Sequence, residues 1–142
     1  MPKTNNFDAS LLELLFNANP IANVADNAAI SPLTNLYVSL HTASPGVSGN
    51  QTTNEAAYTG YARVAVARTT GGWTITGESA SPNATISFPT ATGGSETETY
   101  MGIGSAATGN GNLYYFGTIS PNIAVTSGVT PELTTATTVT ES

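Results

Sequence analysis

One short stretch, LYVSLH (Leu36–His41), decides the fold class. Its three aliphatic residues alternate with Tyr, Ser and His, and this period of two is typical of a β-strand that turns one face to a core. His41 falls on the polar face of this strand, so we expect it to be an ordinary surface or interface side chain. The turn sequence Ser44-Pro45-Gly46 then ends the segment.

Comparable short segments recur along the chain and are separated by Gly, Pro, Asn and Ser. Thr is the commonest residue, with 24 copies, and its β-branched side chain favours a pleated, half-exposed surface. No series of long helices exists to connect parallel strands. We therefore predict an all-β fold, an antiparallel β-sandwich or jelly-roll-like domain with about eight short strands. The further strand segments are 61–68, 73–76, 84–88, 97–103, 113–119, 123–125 and 133–139.

The N-terminal segment contains the only good helix candidate. Ser10 and Glu13 have capping-box spacing, and Asp8 is an alternative N-cap. The helix is expected to end before Pro20 and to be only about two turns long, so it needs something to pack on. That host is either an open end of a sheet or a partner chain. Residues 17–33 are predicted to form a loop or arm, which gives an N-terminal arm (1–32) and a β-sandwich domain (33–142).

Composition excludes several functions. Lys and Arg number 3 against 9 Asp and Glu, so the net charge is -6 and a basic surface for nucleic acid is not expected. No apolar run is long enough for a membrane span, and no signal peptide is expected. The absence of Cys removes disulfides and thiolate chemistry. We expect no cofactor and no metal.

Catalytic candidates are few and incomplete. His41 is the single His of the chain, and no Gly-x-Ser-x-Gly elbow accompanies it. Glu96 and Glu98 stand two apart, so a strand would point both carboxylates to one face, where they would be solvated or meet a basic partner. The Gly-rich stretch 102–111 lacks the Lys of a phosphate-binding loop. We therefore predict that the protein is not an enzyme.

The polar segment 46–60 is predicted to be a long loop that makes contacts rather than core. Arg63 follows it, and in an acidic chain an isolated Arg pairs with a carboxylate such as Glu55 or contacts a partner. The residues predicted to bind a partner are apolar anchors of the helix and aromatic or Arg side chains of types that dominate interfaces. They are Leu11, Leu12, Leu14, Leu15, Phe16, Tyr58, Tyr61 and Arg63.

The sequence from Leu36 to Val66 resembles small structural proteins of tailed bacteriophages. The resemblance rests on LYVSLHTASPG (36–46), QTTNEAAYTGYARVAV (51–66), Phe88-Pro89, GGSET (93–97) and MGIG (101–104). Some of these proteins are described as tail-fibre proteins, and others are jelly-roll head decoration (cement) proteins. The resemblance covers roughly residues 33 to 140.

The resemblance implies a non-enzymatic virion component. Our leading expectation is a decoration protein on the outer surface of the capsid, which bridges adjacent copies of the major capsid protein. An acidic chain is repelled by packaged DNA, and uncharged sheet edges are open to strand addition. The alternative is a tail or tail-fibre component with a receptor- or glycan-binding β domain. Self-association as a dimer or trimer is expected in either role.

Overall fold

A computed structural model describes residues 3–21 and 32–141 of the chain. The described part contains one helix and nine strands. The all-β class with antiparallel sheets and one N-terminal helix is confirmed. The elements are α1 (Asn5–Asn17), β1 (Asn35–His41), β2 (Val64–Ala67), β3 (Trp73–Thr76), β4 (Ser79–Pro82), β5 (Ile86–Ser87), β6 (Ser95–Gly104), β7 (Leu113–Thr126), β8 (Glu132–Leu133) and β9 (Val139–Thr140).

The chain forms two compact units, and both are discontinuous in sequence. The first unit comprises Met1–Asn35, Val66–Thr85 and Leu133–Ser142. The second comprises Leu36–Ala65 and Ile86–Glu132. The N-terminal helix shares its unit with later strands, and the division into an arm (1–32) and a β-sandwich domain (33–142) stays a prediction. Residues 22–31 of the predicted arm lie outside the described residues.

Helix α1 begins earlier and is longer than predicted. Thr4, not Ser10 or Asp8, is the N-cap, and its hydroxyl accepts a hydrogen bond from the Phe7 N–H. The Ser10 hydroxyl instead donates to the Asn6 carbonyl inside the helix. The helix ends at Ala18, which adopts the left-handed conformation, shortly before Pro20 as expected.

The core of the first unit lies between α1 and the β3–β4 hairpin. Phe16 and Trp73 make an edge-to-face contact with ring centroids 4.7 Å apart, and Leu12 is also fully buried. Edge-to-face packing suits the ring quadrupoles and adds to the stabilisation from burying the rings. Strand β4, which the sequence did not predict, pairs with β3 and β9.

Arg68 holds the C-terminal end of α1. Its Nε donates to the Leu15 carbonyl at 2.6 Å and its Nη2 donates to the Leu14 carbonyl at 2.5 Å. Its Nη1 donates to the carbonyl of Leu33 at 3.2 Å. The last turn of α1 carries no basic residue of its own, so Arg68 supplies the cation that the helix C-terminus favours.

The main sheet has the strand order β2-β1-β6-β7. In the second unit β1 pairs antiparallel with β6 from Tyr37↔Gly104 to His41↔Tyr100, and β6 pairs antiparallel with β7. Strand β1 was predicted to be half-buried, but its Ser39 and His41 are as fully buried as its aliphatic residues. The prediction that His41 is a surface side chain is therefore wrong.

The segment 46–60 is also not a peripheral loop. Gln51, Ala56 and Tyr58 are buried, and the Ala56 N–H donates to the carbonyl of Leu40 at 2.9 Å. Residues 53–56 of the segment contact the end of β1, where the Thr53 carbonyl bonds the ring of His41.

Among the described residues, no helix combines the length and the apolar character that a membrane crossing requires.

Candidate functional site

A two-point ion pair fixes the loops of the second unit. The Arg63 Nε lies 2.6 Å from Glu55 Oε1, and its Nη2 lies 2.8 Å from Oε2. The Arg63 side chain is 3% exposed and that of Glu55 is 14% exposed. This fork geometry is the strong form of the Arg–carboxylate bond, and Glu55 raises the pKa of the Arg63 guanidinium.

Arg63 also reaches a second loop. Its Nη1 donates to the carbonyl of Ala106 at 2.9 Å, and its Nη2 donates to that of Gly109 at 2.8 Å. The Glu55 carboxylate additionally accepts from the Tyr61 hydroxyl, which in turn accepts from the Leu40 N–H. One guanidinium therefore ties the two loops to each other and to the sheet. We call residues 44–54 and 105–112 together the loop platform.

Gln51 forms the second tie within the loop platform. Its Oε1 accepts from the Ala106 N–H at 2.9 Å, and its Nε2 donates to the Ala106 carbonyl at 3.3 Å. The fully buried side chain lies against the backbones of Gly104 and Gly111, where any Cβ would collide with it. Two glycines are therefore required beside this amide.

A buried Ser–His pair lies beneath the loop platform. His41 Nδ1 lies 2.9 Å from the carbonyl of Thr53, so Nδ1 carries the proton and Nε2 accepts from the Ser39 hydroxyl at 2.9 Å. Burial lowers the pKa of His41 and keeps the ring neutral. The pair has the bond that activates a serine nucleophile, but both residues are fully buried. It stabilises the fold and offers no surface to a substrate.

The Glu96–Glu98 pair differs from its prediction. Glu96 accepts from the N–H groups of Ala57 and Tyr58 at 2.8 Å each. Glu98 is fully buried, and its carboxyl group lies next to that of Glu96. Burial first, and the neighbouring Glu96 second, raise the pKa of Glu98 to about 8. Glu98 is not the solvated side chain that spacing indicated.

A β-bulge accompanies the change in environment along β6. Glu98 pairs with Ile123 and Tyr100 pairs with Thr118, so residues 119–122 of β7 lie opposite Thr99 alone.

Tyr58 also has a shifted pKa. Burial first, and the carboxylates of Glu98 and Glu96 second, raise the pKa of Tyr58 to about 12. No group of three or more His, Cys, Asp or Glu suited to a metal occurs among residues 3–21 and 32–141.

The eight predicted partner-binding residues divide between the two units. In α1, Leu12 and Phe16 are fully buried and the other three apolar residues are half-buried. In the second unit, the Tyr58 hydroxyl donates to the Pro89 carbonyl, and the rings of Tyr58 and Tyr61 meet at 5.3 Å. Internal contacts engage these side chains, and partner binding by the eight residues stays a prediction.

The sequence predicted contacts by 46–60 but did not predict that 105–112 lies beside this segment. The exposed groups of the loop platform are mainly uncharged hydroxyl and amide side chains beside one large apolar residue, Val47, which is 96% exposed. Such groups donate and accept hydrogen bonds without attracting ions, which suits a neutral polar ligand. The hydrogen bonds that bring 105–112 beside 44–54 join residues more than forty positions apart, so no local pattern predicts this arrangement. The exposed polar side chains are Ser44, Ser48, Thr52, Asn54, Thr108, Asn110 and Asn112.

Comparison with known proteins identifies the class. The described fold is β-rich, and the chain matches the family model described as podophage GP4 fiber I protein gp80 over residues 15–140. The chain belongs to this family and is a structural component of a phage virion. The predicted resemblance to phage structural proteins is confirmed at this level. No curated protein matches the chain.

Proposed function

We propose that the chain is a non-enzymatic component of a fibre on the phage tail. The observation that carries this proposal is the family match, which spans 15–140 and bears the description of a fibre protein. That description favours our alternative expectation over the head decoration role. Decoration of the capsid surface stays a prediction. It would require many copies distributed over the head, whereas a fibre role requires few copies on the fibres.

Quantitative mass spectrometry of purified virions, combined with gold-labelled antibody in electron microscopy, tests the proposal. We expect few copies relative to the major capsid protein, with label on the fibres. Hundreds of copies and label over the whole head would contradict the fibre role and support decoration. A virion that lacks the gene should lose fibres and retain an intact head.

The loop platform is the surface that such a component would present to a neutral polar ligand such as a host glycan. The ties through Arg63 and Gln51 hold both loops in place before binding, which reduces the entropy lost on contact. The exposed hydroxyl and amide groups supply hydrogen bonds, and Val47 supplies an apolar contact. The platform is uncharged, so we expect its binding to depend little on salt.

A phage carrying Val47→Asp tests this contact. Val47 is almost fully exposed, so the variant should fold normally, and host adsorption should slow at least several-fold because a charge enters the contact. Ser127→Asp, an exposed position in the same unit, is the matched control and should adsorb normally. Equal adsorption by both variants would exclude the loop platform as the host contact and leave the fibre location intact.

A further inference from the structure

Strand β7 is an unusually long edge. It is the last strand in the order β2-β1-β6-β7, and its pairs within the described part of the chain are with β6 alone. It has 14 residues, and the seven from Leu113 to Ile119 alone correspond to an edge of roughly 24 Å. The opposite edge strand, β2, has only 4 residues. Short edge strands prevent unwanted pairing, and long ones invite it.

The composition of β7 removes the usual protection of an edge. The sequence LYYFGTISPNIAVT contains no charged residue, although the whole chain has a net charge of -6. Natural edges carry Lys or inward-pointing charges to prevent strand addition. Pro121 interrupts the strand in its middle, so the continuous part of the edge is Leu113–Ile119.

Several apolar side chains of β7 remain partly exposed to solvent. Val125 is the single buried residue of the strand, whereas four consecutive residues of the neighbouring β6, from Met101 to Gly104, are buried. Leu113 and Phe116 are only half-buried and Tyr114 is 39% exposed. Apolar surface that a sheet leaves uncovered at its edge favours association.

We propose that the outer edge of β7, over Leu113–Ile119, pairs antiparallel with the same edge of a second copy of this chain. An isologous contact about a twofold axis places the two strands antiparallel. The pairing would extend the sheet across both copies and cover the half-buried apolar side chains. This inference rests on the proposed function, because a fibre component that self-associates can assemble with further copies of itself.

Charge argues for a second copy rather than a different partner. Since β7 has no charges, two identical edges meet without like charges opposite each other. The three cations of the chain are engaged within their own units: Lys3 with Asp8 and Glu141, Arg63 with Glu55, and Arg68 with backbone carbonyls. An electrostatic contact with an acidic partner therefore has no basis in the described residues.

Single-cysteine cross-linking of the full chain tests the geometry, since the chain contains no Cys. In this antiparallel register Thr118 of one copy lies opposite Tyr114 of the other, so the test mixes Thr118→Cys chains with Tyr114→Cys chains. In the control mixture Thr135→Cys, an exposed position outside the edge, replaces Thr118→Cys. Under mild oxidation we expect the first mixture to form covalent heterodimers at least ten times faster than the control mixture. Equal rates in the two mixtures would overturn the proposal.

Sedimentation of the parent chain gives a result that depends on no variant. We expect a concentration-dependent dimer, and hydrogen exchange of the β7 amides should slow as the dimer forms. Thr118→Lys should weaken the dimer at least tenfold because it places a charge in each half of an otherwise uncharged edge contact, whereas Thr135→Lys should leave it unchanged. A parent chain that stays monomeric throughout would overturn the proposal.

These outcomes are separable from those for the proposed function. A monomeric chain located on fibres would contradict edge pairing alone. A β7-linked dimer located over the head would contradict the fibre role alone.

Discussion

Arg63 and Glu55 form a two-point ion pair, with N–O distances of 2.6 and 2.8 Å, in which the Arg side chain is almost completely buried. The same guanidinium donates to two carbonyls of the 105–112 loop. A charge this well enclosed is stabilising only while its partner is present. We therefore expect this pair, together with the Gln51 tie, to maintain the order of the loop platform.

Replacement of Arg63 tests that dependence. Arg63→Met should lower the free energy of unfolding by about 3 kcal/mol, because it leaves the Glu55 carboxylate without its counter-charge. Arg63→Lys should recover only part of the loss, since an ammonium cannot make the two-point bond. Urea denaturation measures both values. The amides of 105–112 should exchange hydrogen faster in Arg63→Met than in the parent. A loss of less than about 1 kcal/mol in the free energy of unfolding would contradict this role of the ion pair.

The buried Glu98 predicts an unusual dependence of stability on pH. The pKa of Glu98 is raised from 4.5 to about 8 in the folded chain, so between these values the folded state holds a proton that the unfolded state has released. Its contribution to stability is complete below pH 4.5 and falls by about 1.4 kcal/mol per pH unit until about pH 8.

Glu98→Gln should remove that slope and leave the variant more stable than the parent at pH 8. Urea unfolding at several pH values measures the difference. Glu132→Gln, an exposed carboxylate in the same unit, is the control and should keep the slope of the parent. An identical pH profile for Glu98→Gln and the parent would show that Glu98 is ionised in the folded protein.

His41 should titrate in the opposite sense. Burial lowers the pKa of its ring, so the folded state favours the neutral form and stability is lost as the pH falls through and below the ordinary value near 6.5. As His41 is the only His, proton NMR reports its titration without ambiguity. We expect a midpoint clearly below that of the urea-unfolded chain, and a midpoint equal to it would place His41 in solvent.

Arg68 is predicted to hold the end of helix α1. Arg68→Met should cost about 1 to 2 kcal/mol, because it removes charge-assisted hydrogen bonds to the Leu14 and Leu15 carbonyls. Thr4→Ala, at the other end of the helix, should cost about 1 kcal/mol. Circular dichroism and thermal unfolding measure both losses. An Arg68→Met variant with unchanged helix content would show that the helix end needs no external cation.

Local patterns in the sequence predicted much of the fold. Alternation at Leu36–His41 marks β1, and Pro20 correctly predicts the end of α1. Strand β4 was missed because Ser79–Pro82 contains neither β-branched nor aromatic residues, although Ala80 and Pro82 are buried. Its small side chains pack tightly, which the propensity of single residues does not express.

The chemical environment of the polar residues could not be predicted in the same way. Alternation assigns His41 to solvent, but the carbonyl of Thr53 bonds its ring, and no local pattern encodes such a contact. Glu98 was placed in solvent for the same reason, because strand periodicity does not reveal what lies opposite a side chain. The pairing of Arg63 with Glu55 was one of two options that the sequence left open, and the structure selects it.

Electron cryomicroscopy of the parent phage tests the central claim, that this β-rich chain is a fibre component, most directly. A map that resolves strands should show density in the tail fibres that fits the second unit, with its β2-β1-β6-β7 sheet order. Deletion of the gene should remove that density. Density for this chain in a regular array over the capsid surface, and none in the fibres, would contradict the account.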